Sequence, residues 1–497
     1  MPIAPLLPAF LVGGLALGIA CKDKADDSGS PGDGGADGGG QDGGGSDPGM
    51  GTPSIAFDEF IPNVATVTWT TDAPGRSWVS FGMSSPDERT TPQTTDLATS
   101  HAVTVLGLAA GRPQQLIAWT ELEDGTVLQS GVQELTPAAA PSEIPSVTVS
   151  KTDESRWAGD GYILTSYMQS ESSYVVILDR RGNHVWYRPA ASDLTITTTA
   201  PGLDGTSLIY AQYDRAQAED LGGIIRQDIR GGDYLSVTRS YTAHHAFAEL
   251  PEGRMAWLGL DLYYHKTTEG TTYMALDGIY EAEEGDQSDD GYQTDFLWHE
   301  YDIPNPTCNH FFADAYGTGA YDWTHGNSLM YDEYEDVFYV MSKNVDTILK
   351  VDRSSGTVIW TMGGQDSDFE IDGPLSDWWS HAHMSYMGDG EFTLFDNRYH
   401  DDDGGMISRA SHYTFDETEM TVKRVWSYQD PNANFIQLLG DVRILPNGNY
   451  LVSWTSIGLV NEITPGGEIV WQLGTGVGSA IGRVHYLADL YDLTNAY

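Results

Sequence analysis

The sequence predicts an all-β chain, a six-bladed β-propeller preceded by a small β-sandwich. Three observations carry that prediction. No long segment shows the apolar period of a helix. Short runs rich in Val, Ile, Thr, Tyr and Trp alternate with turns of Gly, Asn and Asp from residue 53 onward. Beyond residue 142 one strand–turn–strand unit recurs at a spacing of roughly 45–65 residues, which suits stacked blades.

The chain begins with an apolar run, Ala9-Phe10-Leu11-Val12 through Leu15-Ala16-Leu17-Gly18-Ile19-Ala20, ending at Cys21. A run of that length that finishes in small residues reads as a secretory leader rather than a membrane span. The Cys after Gly18-Ile19-Ala20 resembles the lipid-attachment site of bacterial lipoproteins, although Gly18 stands where Leu is usual and no Lys or Arg precedes the run. Residues 1–21 are thus expected to be a lipoprotein-type signal with Cys21 lipidated, and plain cleavage nearby is the alternative. This places the chain outside the cytoplasm, lipid-anchored to a bacterial membrane at the periplasmic or cell surface. Cys308 is then left without a disulfide partner, since the chain has 2 Cys, and reads as a small buried residue.

Residues 22–52 are mostly Gly, Asp and Ser and cannot bury enough surface to offset their ordering entropy, so they read as a flexible tether. A net charge of -47 over 497 residues argues against nucleic acid as a partner and for a soluble exported surface. Residues 53–137 carry short alternating runs such as Ala65-Thr66-Val67-Thr68-Trp69-Thr70, Ser77-Trp78-Val79-Ser80-Phe81 and His101-Ala102-Val103-Thr104-Val105-Leu106. Their spacing suits a small sandwich that resembles a fibronectin type III module. No catalytic constellation is visible there, so a spacer or docking role is expected.

Past the linker Ala138-Ala139-Ala140-Pro141, residues 142–497 hold the repeats. Val176-Ile177-Leu178-Asp179 runs through Gly182 to Trp186, Leu349-Lys350-Val351-Asp352 through Gly356 to Trp360, and Asn461-Glu462-Ile463-Thr464 through Gly467 to Trp471. Weaker copies close at Tyr241, Trp298 and Trp426, and a Leu-Pro-x-Gly turn recurs at Leu250 and Leu445. Six units are counted, with seven the neighbouring alternative. The closing Trp residues read as blade packing. The acidic tracts Glu281–Asp290 and Asp401–Asp403 match no calcium loop and read as solvated surface.

Most of the legible chemistry lies between Asp322 and Asn397. If each segment is a regular strand, His325 and Asn327 share one face, and so do His381 and His383. Two such pairs on neighbouring strands can converge on one small anionic group. Hydrogen-bonded core or turn residues are the structural alternative.

The run DWTHGNSL, the segment SKNVDTILKVDRSSGTVIWTMGG, the HHAF with its LPEG turn, the FDN after SHAH and the terminal GRVHYLADLY together resemble the bacterial arylsulfotransferase family. The resemblance covers roughly Pro145 to the C-terminus. It implies a six-bladed propeller that moves a sulfuryl group from an aryl sulfate to a phenol without a nucleotide sulfate donor or other cofactor. It also implies that His383 forms a sulfohistidine, with His381 as rival. His325 and Asn327 would hold the sulfuryl oxygens, and His245 or its neighbour His244 would add an active-site histidine. Lys343 stands where the family carries arginine, a point charge in place of a planar fork. Neutral imidazole can attack sulfur and a second histidine can protonate the leaving oxygen. A propeller that binds a ligand or partner without catalysis is the competing reading, and a phosphoryl donor or a quinoprotein-like dehydrogenase ranks below both.

Overall fold

The computed structural model describes residues 49–169, 172–191, 194–213, 223–239, 243–267, 270–285, 319–398, 407–432, 435–476 and 479–497. Cys21, residues 22–48 of the tether, Cys308, Tyr241, Trp298, residues 286–290 of the first acidic tract and Asp401–Asp403 lie outside the described residues. Glu281, which opens the first tract and was expected to be solvated, is buried and paired with Arg254 and Arg353.

The expected sandwich is built from one sheet curled on itself. Its central strand, Ala65–Gly82, runs without a break where two separate strands were expected. The first half pairs with Ser54–Phe57 and Ala98–Val105, and the second with Arg89–Thr90 and Gln114–Leu122. The two halves face each other across Val67, Trp69, Val79, Phe81, Val103 and Leu116. His101 secures the bend by bonding Thr71 Oγ1 at 2.8 Å and Ser77 Oγ at 2.5 Å. The lower end merges with the propeller core, because Ile61, Val64 and Leu106 share one apolar cluster with Trp186, Leu487 and Leu490.

Six sheets follow, and each is a blade. Blades 2 to 6 begin with their innermost strands, Thr195–Pro201, Ala243–Leu250, Gly326–Asp332, Ala382–Gly388 and Asp441–Ile444. Blade 1 takes its three outer strands from Tyr162–Met168, Ser173–Asp179 and His184–Pro189. Its innermost strands are Ala480–Ile481 and His485–Leu487, from the far end of the chain. Blade 6 in turn receives Val147–Thr152 as its outermost strand. The ring is therefore fastened at both of its outer ends, and each clasp satisfies backbone groups that would otherwise form an open edge.

The repeated strand–Gly turn–Trp unit is the third strand, its hairpin and the fourth strand of a blade. Trp186 and Trp471 are fully buried there, and each indole donates to the next blade, to the carbonyls of Ile229 at 3.0 Å and Arg180 at 2.9 Å. Burial of such a ring contributes on the order of 2–3 kcal/mol, so these positions hold blades together. The Leu-Pro-x-Gly turns join the first and second strands of blades 3 and 6. Across the blade 6–blade 1 seam, Arg180 pairs with Glu462 in full burial and lies 4.1 Å over the Trp471 ring.

Candidate active site

The site forms where the innermost strands of blades 3, 4 and 5 begin. At each of these three starts the residue in left-handed conformation is a histidine: His245 with φ 56°, His325 with φ 51° and His381 with φ 52°. Residues with a Cβ seldom adopt this conformation, and it turns the side chain away from the regular alternation of the strand that follows. The expectation that His325 points with Asn327, and His381 with His383, is corrected by this feature.

His245 and His325 meet edge to face with ring centroids 4.8 Å apart. A carboxylate stands behind each. Asp322 accepts from His325 Nδ1 and fixes the orientation of that ring. Asp277, fully buried, lies 3.0 Å from His244 Nε2, and His244 Nδ1 is 3.1 Å from His245 Nδ1. Burial opposes ionisation of Asp277, but His244, Thr324 and the Gly326 amide hold its carboxyl below the usual range. Burial, with His325, His244, Lys343 and His383 nearby, pushes His245 well below the ordinary histidine value, so its ring is neutral. Gly326 permits the close approach on which this depends. Its N–H reaches Asp277 Oδ2 at 2.5 Å, and a Cβ there would sit 2.9 Å from the Asp277 carboxyl carbon.

His381 is held by a third carboxylate, since its backbone N–H donates to Asp346 Oδ1 at 2.6 Å. Lys343 is buried in the turn between the second and third strands of blade 4, and its N–H donates to the His325 carbonyl at 3.2 Å. It acts electrostatically on His245.

Asn327 and His383 are each engaged by other parts of the ring. The Asn327 amide donates to the Ala382 carbonyl at 2.9 Å and its oxygen accepts from Ser328 at 3.0 Å, so it ties blade 4 to blade 5. His383 is fully buried, and its Nε2 lies 2.6 Å from the Arg483 guanidinium. A guanidinium can only donate, so the Nε2 lone pair is engaged by a cation. Burial and Arg483 push His383 well below the ordinary value.

Sequence reasoning passed over the carboxylates Asp322, Asp277 and Asp346 and the basic residues Arg443 and Arg483. Asp322 had a signal, a place three residues before His325. Asp277 and Asp346 had none, because their partners are reached only through the blade-to-blade register. The propeller and the burial of Trp186, Trp360 and Trp471 agree with the sequence reading.

Among solved structures the chain is similar to a nidogen/laminin complex at 10% identity and a TM-score of 0.38, with 65% of this chain and 97% of that chain covered. It is also similar to a protein of unknown function from Bacteroides caccae, at 10% and 0.39 with 66% and 98% covered. A streptogramin B lyase is similar at 10% and 0.33 with 70% and 95% covered. Likenesses this distant carry no weight for the chemistry. No curated protein matches the chain. The family model for arylsulfotransferase (ASST) matches residues 146–475, more than half of the chain and all of blades 2 to 6. This chain therefore belongs to the arylsulfotransferase family of enzymes.

Proposed function

We propose that the protein transfers a sulfuryl group from an aryl sulfate to a phenolic acceptor in two half-reactions through a sulfohistidine, with His381 as the nucleophile. The observation that carries this reading is the left-handed histidine at the start of three consecutive innermost strands. It gives His381, not His383, the backbone conformation of His245 and His325. The His383 lone pair engaged by Arg483 also argues for His381, since a nucleophile needs that pair.

In the first half-reaction a nitrogen of His381 attacks sulfur, the sulfur–oxygen ester bond breaks, and protonated His325 gives its Nε2 proton to the departing phenolate. In the second, neutral His325 takes the proton of the acceptor phenol as its oxygen attacks the sulfohistidine, and His381 is regenerated. Asp322 orients the His325 ring. Lys343 and neutral His245 offset charge on the equatorial sulfuryl oxygens. Asn327 acts through position, by fixing the strand on which His381 stands. We extend the proposal to an exported enzyme held at the membrane through lipid on Cys21 by way of the tether of residues 22–52. Its support is the leader-like sequence, and loss of membrane partition in Cys21→Ser tests it.

The deciding experiment uses 4-nitrophenyl sulfate with and without a phenol. Phenol-dependent nitrophenol release should vanish in His381→Ala. Peptide mass spectrometry of enzyme quenched with donor alone should place the added sulfuryl group on His381. A group found on His383, or full turnover by His381→Ala, would overturn the assignment.

A further inference from the structure

The innermost strands of blades 5, 6 and 1 bring together a second set of ionisable residues. Arg483 belongs to the closing segment of blade 1, outside the residues matched by the family model. It donates from one terminal nitrogen to His383 Nε2 at 2.6 Å and to the Asn327 carbonyl at 3.1 Å. Arg443 of blade 6 lies 3.3 Å from Asp441 Oδ2 and 3.4 Å from His485 Nε2. Asp441 also accepts the Val484 N–H at 2.9 Å. Among the described residues, Arg483 Nε and Asp441 Oδ1 are buried in this layer without a hydrogen-bond partner.

The charges do not balance. His485, pushed down to about 3 by burial and then by Arg443, is neutral, and so is His383. Burial would raise the Asp441 carboxyl, but Arg443 and Arg483 hold it at about 2, so it is an anion. Burial lowers Arg483 only to about 10, so it stays charged, and Asp441 is the carboxylate among the described residues that acts on it. Among the described residues, two guanidiniums against one carboxylate leave one positive charge in this layer. An uncompensated charge out of water is costly, and an oxyanion relieves that cost. Among the described residues no hydrogen bond of Arg483 uses its second terminal nitrogen, and each guanidinium keeps planar donors suited to a tetrahedral oxyanion.

We propose that Arg443 and Arg483 form an oxyanion subsite in the propeller channel that binds sulfate and the sulfuryl end of a sulfate monoester. The pair supplies the planar, forked donors that Lys343 does not. It also gives a protein of net charge -47 a local positive field with which to draw in an anionic donor. The identity of the oxyanion rests on the sulfuryl-transfer reading. The charge imbalance does not.

The test is calorimetric and thermal titration of the full chain with sodium sulfate, against sodium chloride at matched ionic strength. The variants are Arg443→Gln, which removes one fork, and Arg483→Lys, which keeps the charge without it. Sulfate stabilises most proteins by exclusion, so only a saturable component counts. The wild type should show that component, and both variants should weaken it by ~10–100-fold, the loss of one charge-assisted contact. KM for 4-nitrophenyl sulfate should rise by a similar factor, with kcat changing less. Saturable sulfate binding that persists undiminished in both folded variants would overturn the subsite, and so would its absence from the wild type. Arginine-dependent sulfate binding without aryl sulfate turnover would uphold the subsite while the reaction reading failed. His381→Ala should abolish turnover and leave sulfate binding intact.

Discussion

Asp441→Asn tests the electrostatics of the channel layer directly. The substitution keeps the shape of the side chain and an oxygen that can still accept the Val484 N–H now at 2.9 Å. It removes the one negative charge set between Arg443 and Arg483, so the buried layer goes from one net positive charge to two. The folded carboxyl sits near 2 against an ordinary 3.8. At 1.36 kcal/mol per pH unit this shift corresponds to ~2–3 kcal/mol of stabilisation. Removal of one partner from a buried ion pair costs ~3–5 kcal/mol, so the two routes overlap near 3. Because the folded carboxyl holds its proton less tightly than the unfolded one, this stabilisation is complete above pH ~4 and is lost as pH falls toward 2. Equilibrium urea unfolding of wild type and variant at pH 7 and pH 3 provides the assay. The variant should be less stable by ~3 kcal/mol at pH 7, and the difference should roughly halve at pH 3. A loss under ~1 kcal/mol at pH 7, or one equal at both pH values, would refute the charge accounting.

Four further outcomes follow from the same geometry. Asp322→Asn should lower kcat by ~10²–10⁴-fold with melting temperature little changed, because it removes the carboxylate that orients the His325 ring; unaltered turnover would remove His325 from proton transfer. Gly326→Ala should cost ~1–3 kcal/mol and depress activity, since its Cβ would meet the Asp277 carboxyl at 2.9 Å; a thermal melt and a turnover assay check both parts. Glu462→Gln should destabilise by ~3–5 kcal/mol by leaving Arg180 buried and unpaired at the blade 6–blade 1 seam, as read from urea unfolding. Burial depresses His485 to about 3 and His184 to about 4, so both stay neutral in the fold while the unfolded chain takes up protons below pH ~6.5. Stability should therefore decline as pH falls from that value, and His184→Gln should flatten the decline in a pH series of melts.

The chemistry and the scaffold were legible to different depths. The repeated unit closing on Trp186, Trp360 and Trp471 is a local pattern, and local alternation sufficed to predict the blades. Trp186 and Trp471 are buried between blades, as that pattern requires. Histidine content in HHAF, DWTHGN and SHAH was enough to locate the site on blades 3, 4 and 5. The direction of each ring was not, because a single left-handed residue at His325 and at His381 breaks the two-residue alternation from which direction was inferred. The curled sheet escaped for the reverse reason, since a continuous strand across Thr71–Pro74 overrode a proline that reads as a break.

By itself the sequence determined the strand repeats, the propeller class, the acidic surface and the histidines available for catalysis, all of which depend on neighbours a few residues apart. Only the tertiary structure decided which groups face one another. Asp277 reaches Gly326 across 49 residues of chain, and Arg483 reaches His383 across 100. The first distance closes through the packing of blade 4 against blade 3, and the second because His485–Leu487 returns from the end of the described chain to the first blade.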